Sequence, residues 1–335
     1  MIQFGLCCIF SEQPIKFRRT TAKYLCQFHR TEQLVRLSAL CLSNANSLMS
    51  ALIFCHKNGI GGFRINSQIL PLKTHPEIGY DMAELPDGDE IISNFRACGA
   101  FAGTHRIRTT FHPDQFITLS SPNPNVVQRA MADLAYQAEI SRWVGADVIN
   151  IHAGGVHGDK PAALARLRKS VERLPDGVRK RLTFENDDRS YSPSDLLTVC
   201  AELGVPMVYD AHHHRCLADG LSIESATRLA LKTWDRKPLF HISSPANGWQ
   251  GPAPRKHHDF IDVADFPEIW RSLDATVEVE AKAKELAIIK LMADLNARFE
   301  GCLNKIPGTA NVEKPIFPAI APMHDFSISR PWGED

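Results

Sequence analysis

The stretch SPSDLLTVCAELGVPMVYDAHHH (192–214) contains one structural unit and the edge of a site. Ser192 before Pro193 marks a helix start, because a serine side chain can cap free backbone N–H groups and proline at the first helical position lacks an N–H that would go unpaired. Gly204 stands where the chain must turn left-handed to close that helix. The apolar run PMVYD (206–210) then reads as the next buried strand. It ends on Asp210, and three consecutive histidines, His212, His213 and His214, lie just beyond.

The same alternation extends in both directions. Strand-like runs lie at IQFGLCCI (2–9), GGFRIN (61–66), RIRTTFH (106–112), DVINIH (147–152), RLTFEN (181–186), PLFHISS (238–244) and ATVEVEAK (275–282), which with PMVYD makes eight. Helical periodicity fills the intervals, as in VVQRAMADLAYQAEISRWVG (126–145) and PAALARLRKSVERL (161–174). Eight strand-and-helix repeats in 335 residues predict an α/β protein of the closed (β/α)8 TIM-barrel type rather than an open sheet. No linker divides it, so one barrel domain is expected over 1–302, with an irregular Pro-rich tail over 303–335.

Composition narrows the partners. Lys and Arg total 38 and Asp and Glu total 38, so a polyanion must be held by a local patch or by bound cations rather than by net charge. The nine cysteines form no repeated CxxC pair, which fits reduced thiols in the cytoplasm. No apolar run approaches the length of a bilayer span, and the N-terminus lacks a secretory pattern, so a cytosolic chain without membrane contact is expected.

In barrels of this type the chemistry sits where the C-terminal ends of the strands emerge. The third strand ends at His112, the fourth at His152, the fifth at Glu185, the sixth at Asp210 with His213 beyond, the seventh at His241 and the eighth at Glu280. His257 lies in the loop after the seventh. A single strand-end histidine is usually a hydrogen-bonded structural residue. Six successive strands delivering His, Asp or Glu to one rim are not explained by packing, because each desolvated group needs a partner. Imidazole and carboxylate donors without thiolate suit Mn²⁺, Fe²⁺ or Zn²⁺, and this donor set is larger than one ion needs. If Glu185, Asp210 and Glu280 bridge, a cluster of two or three ions fits, of the kind that activates water in phosphodiester hydrolysis. Such a cluster leaves a positive pocket for a phosphate. Asp210 and His213 can aim at one cluster, whereas His212 and His214 are either supporting partners or spectators.

The motifs FHPDQF (111–116), INIHAGG (149–155), LTFENDD (182–188), VYDAHHH (208–214), FHISSP (240–245), KHHDFI (256–261) and VEAKAKE (279–285) together resemble, in order and spacing, the motif series of the UV damage endonuclease family. The resemblance runs from about residue 58 to 290. It implies a barrel related to endonuclease IV, a divalent-metal cluster that is typically manganese, and incision of damaged double-stranded DNA immediately 5′ to a lesion without a nucleotide cofactor. The implied lesions are cyclobutane dimers, 6-4 photoproducts and, for some members, abasic sites, and a monomer is expected. Matched residue by residue, His112, His152, Glu185, Asp210, His213, His241, His257 and Glu280 correspond to the family's metal ligands, with His257 favoured over His258. Gln115 and Phe116 correspond to a Gln-Tyr pair that probes the duplex at the lesion, and phenylalanine keeps the stacking face. Asn186 and Asp187 are candidates to orient ligands or meet the DNA backbone. Lys282 is the candidate cation for the phosphate, and Glu185, Asp210, Glu280 and Lys282 form the implied catalytic set.

Two positions depart from the family's pattern. Leu6 stands where the family often has a tyrosine near the lesion, and Leu239 stands where it commonly has a lysine that some members carboxylate to bind metal. Lys237 lies two residues earlier, nearer the barrel bottom. Two other readings compete: a sugar isomerase or epimerase, since related metal barrels also use His, Asp and Glu at strand ends, and a damage-binding homologue with weakened catalysis.

Overall fold

Strand alternation decides which side chains enter the barrel. In LTFE, Leu182 and Phe184 join the main apolar core beneath the helices, while Thr183 and Glu185 turn to the other face of the strand. The computed structural model describes residues 1–113 and 117–299. In it, eight parallel strands close in sequence order, the last pairing with the first. They are β1 Gln3–Cys7, β2 Gly62–Ile65, β3 Arg108–Phe111, β4 Val148–His152, β5 Leu182–Glu185, β6 Met207–Asp210, β7 Leu239–Ile242 and β8 Thr276–Val279. Each falls inside the run expected from the sequence. The predicted tail over 303–335, with the domain boundary at 302, and the Gln115-Phe116 pair lie outside the described residues.

Helices α1 Arg30–Lys57, α2 Gly88–Thr104, α3 Pro124–Val144, α4 Lys160–Glu172, α5 Pro193–Leu203, α6 Ala211–Cys216, α7 Ile223–Leu231 and α8 Glu285–Phe299 cover the barrel. The caps follow from local sequence. At α5 the Asp195 carboxylate accepts from the Ser192 backbone N–H at 2.9 Å and Gly204 takes φ +62°, closing both ends of the unit quoted at the outset.

Two features differ from expectation. α1, with 28 residues, is long and apolar enough by length and composition to cross a membrane, against the reading that no such run exists. Its buried residues, among them Leu37, Cys41, Leu48, Leu52 and Cys55, recur at helical spacing and belong to the main core, so this apolarity is spent on the barrel. The second is the seventh repeat. Among the described residues no α-helix follows β7 before β8, and two 3₁₀ turns, Val263–Asp265 and Glu268–Ser272, take its place. Trp270 fills the helix position: it is fully buried, stacks on Phe240 at 5.0 Å between ring centroids, and donates its indole N–H to Thr227 Oγ1 at 2.9 Å.

Inside the barrel, polarity rises toward the C-terminal ends. Val148, Val208 and Leu239 form a small dry cluster apart from the main core. Above it come Thr110, Asn150, Thr183, Arg64 and Glu278, all buried, and then the rim.

Candidate metal centre

Glu185 is the hub. It is fully buried at the end of β5. Its Oε2 accepts from Asn150 Nδ2 at 2.5 Å and lies 2.9 Å from His112 Nε2. Its Oε1 faces His241 Nδ1 at 3.0 Å and His213 Nδ1 at 3.3 Å. Asn150 is itself held by Thr183, whose hydroxyl donates to Asn150 Oδ1 at 2.9 Å, so the middle layer of the barrel fixes the rim above it.

The other ligand candidates converge on this hub. Asp210 caps α6 through the His213 backbone N–H at 2.7 Å and keeps its Oδ2 3.6 Å from His213 Nδ1. Glu280 lies with Oε1 3.5 Å from His241 Nδ1 and Oε2 3.8 Å from His257 Nδ1. The His152 ring lies between those of His112 and His213, at 5.2 and 5.7 Å between centroids. All eight residues expected from the sequence therefore share one rim. Ligand atoms of His112, Glu185, His241 and Glu280 fall within 4.8 Å of one another, and so do those of His152, Glu185 and His213. Glu185 belongs to both groups, so its carboxylate could serve either.

The donor set fits that role. His152 Nδ1 and Asp210 Oδ2 are buried without a hydrogen-bond partner among the described residues, while Glu185 Oε1 and His241 Nδ1, also buried, face each other as an ion pair at 3.0 Å. An unpaired buried polar atom costs about 1–3 kcal/mol, so the first two call for an outside partner. The charges point the same way. Burial opposes ionisation of Glu185, yet the rings of His241, His152 and His112 hold its carboxyl well below the usual carboxylate range. Burial also opposes charge on Glu280, and Arg64 and His241 overcome it to hold that carboxyl low. Burial pushes His152 down. Burial would lower His241 and His213 too, but Glu185 drives the first up to about 10, and Asp210 with Glu185 drives the second well above its ordinary value. The carboxylates thus draw positive charge onto these rings, an electrostatic demand that a divalent cation meets.

The structure sorts the remaining candidates. Asn186 is fully buried and exchanges two hydrogen bonds of 2.9 Å with the Asp210 main chain, so it orients a ligand and does not reach a DNA surface. Asp187 accepts from the backbone N–H groups of Arg189 at 2.7 Å, of Ser190, and of Tyr191 at 3.2 Å, which commits it to the turn after β5. His214 points away from the rim, between Tyr209 Oη at 2.7 Å and Asp219 Oδ1 at 2.9 Å. His212 packs its ring against Trp249 and His257, with centroids 5.1 and 5.2 Å away. His258 accepts from the Phe260 N–H at 2.9 Å and faces away, as expected. Lys282 is exposed and lines a cleft of about 300 Å³ that opens onto His112 and Glu280 and also carries Arg19, Asn66 and Lys284. Leu6 is buried in the main core and absent from that lining. Glu285, the last residue of VEAKAKE, holds the segment after β1 beside this cleft by accepting from the Ser11 and Glu12 N–H groups, each at 2.8 Å.

Sequence reasoning missed Arg64 and Glu278. Arg64 Nε donates to Glu278 Oε2 at 2.6 Å, and its Nη1 lies 2.7 Å from Glu280 Oε1. Burial opposes charge on Glu278, but Arg64 and His241 hold its carboxyl down at about 2. The signal available was a charged residue in mid-strand at the alternation position shared with an inward neighbour, Gly62-Arg64-Asn66 and Thr276-Glu278-Glu280.

A closed parallel barrel whose rim gathers histidine and carboxylate around a shared glutamate defines a TIM barrel with side chains that could hold a metal ion. Residues 2–310 match the family model described as UV-endonuclease UvdE. A UV DNA damage endonuclease from Bacillus velezensis is 33% identical over 302 residues, covering 87% of this chain and 91% of that one. The crystal structure of SacUVDE superposes with a TM-score of 0.79 at 26% identity, over 89% of this chain and 99% of that chain. Endonuclease IV from Thermus thermophilus shares the fold, with a TM-score of 0.57 at 14% identity over the same shares of the two chains. The chain belongs to the UV-endonuclease UvdE family and is a DNA endonuclease of that family.

Proposed function

We propose that this chain is a divalent-metal-dependent repair nuclease that hydrolyses the backbone of damaged double-stranded DNA immediately 5′ to a UV lesion. Cyclobutane dimers and 6-4 photoproducts are the substrates, and abasic sites are a further class. The observation that carries the reading is the set of buried imidazole and carboxylate atoms gathered on one rim around a carboxylate shared by two candidate ligand groups. The same donor set supports a manganese cluster of two or three ions, with zinc or iron as chemically compatible substitutes. Bound there, the ions supply Lewis acidity for activating water and for stabilising the leaving oxygen.

The chain's own residues do the rest. Glu185, shared by both ligand groups, would hold the ions together with His152, Asp210 and His213 on one side and His112, His241, Glu280 and His257 on the other. Lys282, in the open cleft beside Glu280, binds the phosphate next to the scissile bond. Gln115 and Phe116, three and four residues after His112 in the sequence, open the base stack at the lesion. Hydrolysis needs no nucleotide cofactor, and the monomer suffices because every ligand comes from one rim. A sugar isomerase reading has only the fold in its favour, and family membership outweighs it.

A nicking assay tests the proposal. With Mn²⁺, UV-irradiated supercoiled plasmid is expected to relax while unirradiated plasmid does not, chelation stops the reaction, and end-mapping places the nick 5′ to dipyrimidines. Equal cutting of both plasmids, or none of either, would contradict it.

A further inference from the structure

The His241 ring has two different neighbourhoods. Its Nδ1 faces Glu185 Oε1 at 3.0 Å and Glu280 Oε1 at 3.5 Å. Its Nε2 lies 3.0 Å from Glu278 Oε2, deeper in the barrel. Glu278 is 2% exposed, and its other oxygen accepts from the Thr110 hydroxyl. Arg64 Nη2 also lies 3.0 Å from His241 Nε2 and 2.5 Å from the same Glu278 Oε2. A guanidinium only donates, and Nε2 carries the ring proton once Nδ1 is a ligand, so Oε2 is the shared acceptor for both donors.

The parallel register of β7 and β8 sets His241 opposite Glu278, and that of β1 and β8 sets Gly5 opposite Glu278. A Cβ on Gly5 would come within 3.0 Å of Glu278 Cγ, so the glycine leaves room for this buried carboxylate. Arg64 and Glu278 cancel in charge, and the guanidinium reaches past the pair to Glu280 Oε1 at 2.7 Å.

We propose that Glu278 is a positioning residue for the metal cluster: it accepts the Nε2 proton of His241 so that Nδ1 faces the ions, and it anchors Arg64 against Glu280. This arrangement is a carboxylate–histidine–metal relay, which fixes the tautomer and orientation of the ligating ring. The inference rests on the metal-cluster reading, and on the chain's own contacts for everything else. Without Glu278 the ring is free to turn and Arg64 keeps only Glu280 as its carboxylate partner.

The test is a Mn²⁺ titration followed by the electron paramagnetic resonance signal of free Mn²⁺, on the full chain and on Glu278→Gln and Glu278→Met. The expected result is a roughly 10–100-fold weaker affinity for one ion, the other unchanged, with the circular dichroism spectrum of the parent. Because a buried Arg64 that has lost its Glu278 partner can impair folding, the charge-neutral pair Arg64→Met with Glu278→Met is measured as well, and it too is expected to bind one ion more weakly. Wild-type affinity for both ions in any folded variant would overturn the inference. So would recovery of wild-type binding in the double variant, which would mean that the two charges serve only each other. A parent chain that binds no Mn²⁺ would overturn the metal-cluster reading itself, and this inference with it.

Discussion

Leu239 sits two residues before His241 on β7, fully buried against Val148 and Val208 in the dry layer below the site. Lys237, the nearest lysine in that strand's approach, pairs with Asp274 Oδ1 at 2.7 Å at the opposite end of the barrel from the rim. Among the described residues no lysine is placed to be carboxylated beside His241, and the buried anion there is Glu278. Nicking at fixed pH and limiting Mn²⁺ is therefore expected to be independent of bicarbonate, and a clear dependence would show a carboxylated lysine in the site. The Gln115-Phe116 pair carries a second prediction. Replacing both by alanine should weaken binding to damaged duplex by about 1–3 kcal/mol per lost stack and leave metal content unchanged. Equal losses on undamaged duplex would reduce the pair to a general contact. Six of the eight rim candidates were legible because they stand at strand ends, where a titratable side chain has no packing role, and His213 and His257 lie in the segments just beyond such ends. Arg64 and Glu278 were not, because their pairing spans 214 residues and depends on a strand register that no local pattern encodes.

At the scale of elements, all eight strands could be read, since short runs buried on both faces contrast sharply with periodic helices. The seventh repeat misled. FPEIWRSL (266–273) contains Pro267 and a single large aromatic beyond its first residue, too little apolar surface to sustain a packed helix, and its chain forms a 3₁₀ turn instead. Trp270 then carries the burial that a helix face would supply. Trp270→Ala is expected to cost about 3–5 kcal/mol of stability through the cavity left against Phe240, Tyr209 and Phe266. Denaturant unfolding followed by circular dichroism measures this, and a loss below about 1 kcal/mol would show that the loop, not the indole, closes the barrel there. The apolar α1 illustrates the converse: hydropathy alone cannot separate a bilayer span from a helix that packs along a barrel, and only its one-sided burial does so.

Across the whole molecule, charges that sum to zero are sorted by position. The carboxylates Glu185, Asp210 and Glu280 gather at one end of the barrel, and the cleft beside them carries Arg19, Lys282 and Lys284. Cations held by the first group, as proposed, would turn both regions toward a phosphate backbone, so the absence of a net positive charge is no obstacle to acting on DNA. The claim on which all of this depends is that the rim is a metal centre organised by Glu185. Metal analysis of chain purified without chelator, alongside Glu185→Gln, tests it most directly. The account predicts two or three divalent ions per chain in the parent, and in the variant, at unchanged circular dichroism, loss of most of that metal with nicking reduced by orders of magnitude. A Glu185→Gln chain with the parent's metal content, or full nicking by either chain in the presence of chelator, would contradict it.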